Sequence, residues 1–193
     1  MSTVGTPQAA RVRYLIDATR STFIVRAFAT GMLSAFAHSP TIAIPDFQGE
    51  VQWNSSALED ASLGLVIRAP SLTVTDDISD KDRQEIERKM YQEVLETDGF
   101  PEIIYECRRV SSIQKIGEGS YVVVLNGELA LRGVTRDQPV SARVTLKGDT
   151  LRAAGEFSVR QSDYEIKPVS AAGGTVKLKD ELKLSFDVTA RKS

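Results

Sequence analysis

Apolar and polar residues alternate with a period of two over most of the chain from Tyr14 onward. Near the C-terminus, Leu182, Leu184, Phe186, Val188 and Ala190 share one parity, and Lys183, Ser185, Asp187, Thr189 and Arg191 the other. Successive strand side chains point to opposite faces, so this pattern predicts a strand with one dry and one wet face. The same alternation sets Leu151, Ala153, Gly155, Phe157 and Val159 against Arg152, Glu156, Ser158 and Arg160. It also sets Val140, Ala142, Val144 and Leu146 against Ser141, Arg143, Thr145 and Lys147. Tyr121, Val123, Leu125, Leu129 and Leu131 share a face across Gly127, where a missing Cβ allows a sharp bend. Residues 23–28, 42–53 and 63–69 follow the pattern less cleanly, and 103–110 adds a further strand.

Turn chemistry separates these runs. Gly148 and Asp149 between two alternating segments are a hairpin signal. Gly117-Glu118-Gly119 and the stretch Gly133 to Asp137 bound the long central strand, and Ala171-Ala172-Gly173-Gly174 reads as a loop before the last strand. About eight strands in up-and-down order, each with one apolar face, are most economically closed into an antiparallel barrel, because closure leaves no unpaired edge. One segment breaks the period: about residues 79–96 are strongly charged, with Ile86, Met90, Val94 and Leu95 near helical spacing. Ser79 and Asp82 form a capping-box pair, so an amphipathic helix packing one stripe on the barrel is expected.

Composition narrows the function classes. The 193 residues carry 24 Lys+Arg against 26 Asp+Glu, a net charge of -2, which argues against the basic excess of a nucleic-acid binder. One cysteine, Cys107, permits no internal disulfide and reads as a small apolar core residue; one histidine permits no multi-histidine metal site, and no metal or other cofactor is expected. No apolar run approaches the ~20 residues that span a bilayer. Residues 1–12 read as a flexible leader with no secretion signal, leaving a single domain over 13–193 and a cytoplasmic location as the expectation. The acidic run Asp76, Asp77, Asp80 and Asp82 lacks the register of a calcium loop and suits a helix start. His38 has no neighbouring carboxylate or nucleophile in the linear sequence, and no nucleophile elbow exists, so no catalytic constellation emerges. What remains is the volume inside the apolar faces: an eight-stranded barrel is either filled by side chains or holds one slender ligand, and periodicity is compatible with both.

The motifs, taken in order, resemble the YceI family of lipocalin-like barrels that bind polyisoprenoids or similar long-chain amphiphiles. The likeness runs from Tyr14-Leu15-Ile16-Asp17 and Ser21-Thr22-Phe23, through Gly31-Met32-Leu33-Ser34-Ala35-Phe36-Ala37-His38 and Asp46-Phe47-Gln48-Gly49. It continues with Phe100-Pro101-Glu102-Ile103 after the helix, the segment Gly127 to Thr135, Gln161 to Pro168, and Asp180-Glu181-Leu182. Glu165 stands where the family commonly has glycine, and the secretion signal of many members is not visible, so a periplasmic role is not carried over.

The resemblance implies an all-β, antiparallel eight-stranded lipocalin-like barrel with one helix, acting as a non-enzymatic carrier of a polyisoprenoid or other lipid. Parity nominates Leu125, Leu129, Phe157, Leu182 and Phe186 as lining; aromatic character and the resemblance add Phe28, Leu33, Phe36, His38, Trp53, Phe100, Tyr105 and Tyr164. Two other readings stay open. One is an enzyme on a hydrophobic substrate that uses His38. The other is a solid-cored, stress-related interaction module in which Trp53 and Phe100 form a dimer surface; a homodimer is compatible with any of the three.

Overall fold

A computed structural model describes residues 11–30, 39–54, 57–171 and 176–193. The strands in chain order are β1 (Val12–Ile16), β2 (Thr22–Arg26), β3 (Ala29–Thr30), β4 (Thr41–Ala43), β5 (Phe47–Trp53), β6 (Ser62–Arg68) and β7 (Thr73–Val74). After helix α1 (Asp80–Lys89) come β8 (Glu102–Gly117), β9 (Ser120–Leu131), β10 (Val134–Lys147), β11 (Thr150–Arg160), β12 (Ser170–Ala171), β13 (Val176–Leu178) and β14 (Glu181–Lys192).

Three pairs of short strands are single barrel staves interrupted by a kink. β1 and β2 run along the same edge of β14, with Ile16 opposite Ala190 and Thr22 opposite Asp187, and the 3₁₀ turn Ala18–Arg20 lies between them. β5 pairs with β1 and β4 with β2, the break falling at Ile44, Pro45 and Asp46, where proline removes a ladder donor. β6 pairs with β5 and β7 with β4. The sheet runs β1-β5-β6-β8-β9-β10-β11-β14, and β14 returns to β1, giving a closed antiparallel eight-stranded barrel. β3, β12 and β13 form a small separate sheet.

The strands expected from alternation are present, and they run longer than expected. The stretch Val134 to Asp137 belongs to β10; the turn itself is Arg132 and Gly133, both at positive φ (50° and 74°), as a two-residue hairpin demands. Gly148, at φ 57°, opens the hairpin between β10 and β11. On β8 the parity does not persist. Register shifts between Cys107 and Arg109 and between Ser111 and Gln114 turn Val110 and Ile113 inward, so the mixed parity of this strand reflects bulges. The loop expected at 171–174 falls almost wholly outside the described residues.

Ser79 caps α1, accepting from the Asp82 N–H at 3.1 Å while its own hydroxyl donates to the Asp82 carboxylate. Asp80 and Asp82 therefore serve the helix start. The helix then widens into a single π turn, Met90–Val94, in which the Leu95 N–H donates to Met90 O at 2.9 Å.

Candidate functional site

The barrel is hollow. A cavity of about 500 Å³ occupies its middle, within the roughly 300–1,000 Å³ usual for ligand sites. Its wall is assembled from the inward parities of the staves: Leu129 and Leu131 of β9, Val140 and Ala142 of β10, Ala153 and Phe157 of β11, Leu182, Leu184 and Phe186 of β14, and Phe23 and Val25 of β2. Phe23 stands edge-on to Phe47 at 4.9 Å between ring centres and stacks on Phe186 at 6.0 Å; Phe186 meets Phe157 at 6.3 Å. These rings sit on neighbouring staves and pave one side of the bore without crossing it.

Tyr105 brings a hydroxyl into this wall. It projects from β8 over Gly127 of β9, where an added Cβ would lie 2.3 Å from the ring, so the glycine makes room for the phenol. Its hydroxyl donates to Gln138 O at 3.1 Å, and burial holds its pKa far above the ordinary phenol value. Cys107, 1% exposed, is likewise pushed up by burial and hydrogen-bonds to Arg109 O. It is an apolar wall residue with no thiolate character.

The two ends of the cavity differ. At the end where β8 turns into β9 and β10 into β11, it is bounded by Trp53, Leu58, Ala61, Ile113, Val144 and Leu151. At the opposite end, α1 and its π turn complete the wall with Ile86, Met90, Val94 and Leu95, and the charged side chains Asp82, Glu85, Lys89 and Lys177 stand there. Lys89 pairs with Glu85 at 3.4 Å. Gln161, 3% exposed, also reaches the cavity, its amide donating to Lys179 O at 3.0 Å.

The helix is fixed here because β7 leaves the wall. β8 follows β6 as far as Arg68, opposite Glu102, and β7 beyond that point pairs only with β4. The free edge of β7 is met by helix side chains: the Glu87 carboxylate accepts from the Val74 N–H (2.9 Å) and the Thr73 hydroxyl (2.8 Å). The Arg83 guanidinium donates to Val74 O and to Asp76 O. The Tyr91 hydroxyl donates to Leu72 O.

Of the residues nominated from sequence, Trp53, Tyr105, Leu125, Leu129, Phe157, Leu182 and Phe186 line the cavity together. Phe28, Phe100 and Tyr164 do not. Phe28 is half-buried beneath the Lys183 ammonium, 5.9 Å from the ring centre. Phe100 packs against Gly133, whose Cβ would lie 2.6 Å from the ring. Tyr164 is fully buried on the 3₁₀ turn Gln161–Tyr164, which Arg136 ties to β10 through Asp163 O. Aromatic character and the resemblance nominated these three as lining; neither carries information on which side of the wall a ring packs. Leu33, Phe36 and His38 lie outside the described residues. The helix stripe and the charged mouth were missed as cavity elements, although the spacing of Ile86, Met90 and Val94 had marked that face as apolar.

A family model for the YceI-like domain matches residues 14–190. The chain belongs to the YceI family. Solved structures show the same YceI-like barrel at low identity. BcnA of Burkholderia cenocepacia is 17% identical with a TM-score of 0.65, covering 90% of this chain and 98% of that one. A polyisoprenoid binding domain from Saccharophagus degradans, implicated in plant cell wall breakdown, is 13% identical with a TM-score of 0.67, covering 93% and 98%. A Campylobacter jejuni YceI protein is 16% identical with a TM-score of 0.58, covering 79% and 84%. No curated protein matches the sequence. At these identities the likeness is one of fold. Glu165 is the residue of this YceI member that departs from the glycine expected at its position. That residue takes the left-handed conformation (φ 58°), with Arg132 donating to its carbonyl at 2.9 Å, so the turn a glycine would make is kept. Among the described residues no helix is long and apolar enough to cross a membrane.

Proposed function

We propose that the protein is a binding and carrier protein that holds one long-chain amphiphile, a polyisoprenoid or a related lipid, with its tail in the barrel and its head at the charged, helix-covered end. One observation carries this reading: the cavity wall is almost wholly apolar along its length, and charged side chains gather at a single end. Water in such a cavity has few partners, whereas each methylene buried there gains about 0.8 kcal/mol. The wall residues Trp53, Tyr105, Leu125, Leu129, Phe157, Leu182 and Phe186 contact the tail in this reading, and Asp82, Glu85, Lys89 and Lys177 face the head. The family and the name of the Saccharophagus degradans domain support a polyisoprenoid tail. Among the described residues the side chains around the tail are apolar, which supports binding of a chain.

Organic extraction of the purified protein followed by mass spectrometry tests the proposal. A long-chain species near one per barrel is the expected result. Folded protein that yields no such species, and that takes up no polyprenol when offered it, overturns the carrier reading.

A further inference from the structure

The end of the cavity away from the helix is closed in a specific way. On four staves, β1, β9, β10 and β14, the cavity lining stops short of the strand end. Ile16 lines the cavity on β1 but Tyr14 does not; Val123 does on β9 but Tyr121 does not. Val144 lines it on β10 but Leu146 does not, and Val188 does on β14 but Ala190 does not. Tyr14 and Ala190 are buried, and Tyr121 and Leu146 are partly buried against the same core. These inward-facing side chains therefore form a layer beneath the void.

Trp53 completes this layer. Its ring packs on Tyr121 with centroids 5.7 Å apart, tilted by 55°. β5 and β9 are separated around the wall by β6 and β8, so this contact spans the bore. The phenylalanine contacts higher up join neighbouring staves only. Leu58 and Ala61, from the connection between β5 and β6, fill in beside it.

We propose that Trp53, braced by Tyr121, is the floor of the cavity and sets the longest tail the protein accepts. The depth available follows from the lining of β11, which runs from Leu151 to Val159. At ~3.3 Å per residue and a strand tilt of about 40°, that is roughly 20 Å along the axis. Below that length each added methylene finds apolar wall and tightens binding roughly fourfold. Beyond it, the extra carbons meet the indole and are left at the mouth among charges, and the gain ends. The inference rests on the carrier reading, since it concerns the tail that reading places in the bore.

A series of straight-chain primary alcohols, titrated by calorimetry in one-carbon steps, tests it. The parent protein is expected to gain affinity with length and then to stop at a definite chain. In Trp53→Ala the break moves to a longer chain. In Ala153→Leu, which adds bulk just above the floor, it moves to a shorter one, and this variant serves if Trp53→Ala fails to fold. Trp53 is the single tryptophan of the chain, so its emission gives a second readout. Alcohols brominated at the tail tip are expected to quench it only at lengths near the break. A break left unmoved in both variants, or quenching that is the same at every length, overturns the floor while leaving the carrier intact. Absence of binding at any length removes the carrier reading itself and the floor with it.

Discussion

The two ends of this barrel solve the same problem, closing a hollow sheet, with different chemistry. At the Trp53 end β8 meets β9 and β10 meets β11 in tight two-residue turns, Glu118 with Gly119 and Gly148 with Asp149, and the bore is blocked by aromatic and aliphatic side chains. At the helix end the ladder is interrupted: β7 departs from β8, and the gap is covered by α1 and its π turn through side-chain bonds from Glu87, Arg83 and Tyr91 to backbone atoms. A closure made of backbone ladder and packed rings opens only with the fold, whereas one made of a few side-chain bonds opens locally. For the proposed carrier, the end with the weaker closure is therefore the one through which a chain would enter and leave.

The largest effect should come from removing the apolar character that both ends share. Leu129→Asp places a carboxylate on the cavity wall with no partner; a stability loss of about 3 kcal/mol or more is expected in denaturant titration, along with loss of lipid retention. A variant that melts like the parent and still holds lipid would show that Leu129 does not face the ligand. Glu87→Ala tests the helix end alone. Removing the acceptor leaves the Val74 N–H unpaired and should cost about 1–2 kcal/mol, with faster amide exchange at β7 and α1 and faster release of a bound chain. Equal acceleration at β10 and β11 would mean that the two ends open together.

Acid should act on the same contrast. Asp180 accepts from both the Ser162 N–H (2.8 Å) and hydroxyl (2.6 Å), pinning the connection between β11 and β14, and these bonds hold its pKa below the usual carboxylate value. A carboxylate so held contributes stability above its unfolded pKa, and that contribution is lost as pH falls through the lower, folded one. Glu50 with Arg13 and Asp187 with Arg152 behave alike, but they bridge strands already joined by the ladder. Amide exchange in the connection should therefore rise at acidic pH before that of β10 and β11; the reverse order would refute the assignment. The smallest effect is expected for Glu165→Gly, which relieves a left-handed residue while adding freedom to the unfolded chain. A change of no more than about 1 kcal/mol should appear in thermal melts, with no change in binding.

Most of the closed end was legible in the sequence. The inward residues of β9, β10, β11 and β14 repeat every second position, and glycines mark their turns, because long regular ladders preserve parity. Legibility fails where geometry departs from regularity. The bulges of β8 move Val110 and Ile113 out of phase, and Pro45 divides one apparent run into β4 and β5. The helix stripe read as packing against a wall, and only the departure of β7 from β8 makes that stripe part of the wall. Phe100 and Tyr164 show the complementary limit. Both rings are aromatic, but the side of the wall against which each packs depends on long-range connections.

The clasp on β7 has a consequence beyond the single molecule. A short strand with free N–H and C=O groups is a template for a strand from another chain, and an opening in a barrel wall exposes one. Glu87 and Arg83 occupy those groups with side chains that cannot propagate a ladder. The gap in the wall is thereby kept from seeding edge-to-edge assembly, and loss of the clasp should show itself at high concentration as aggregation.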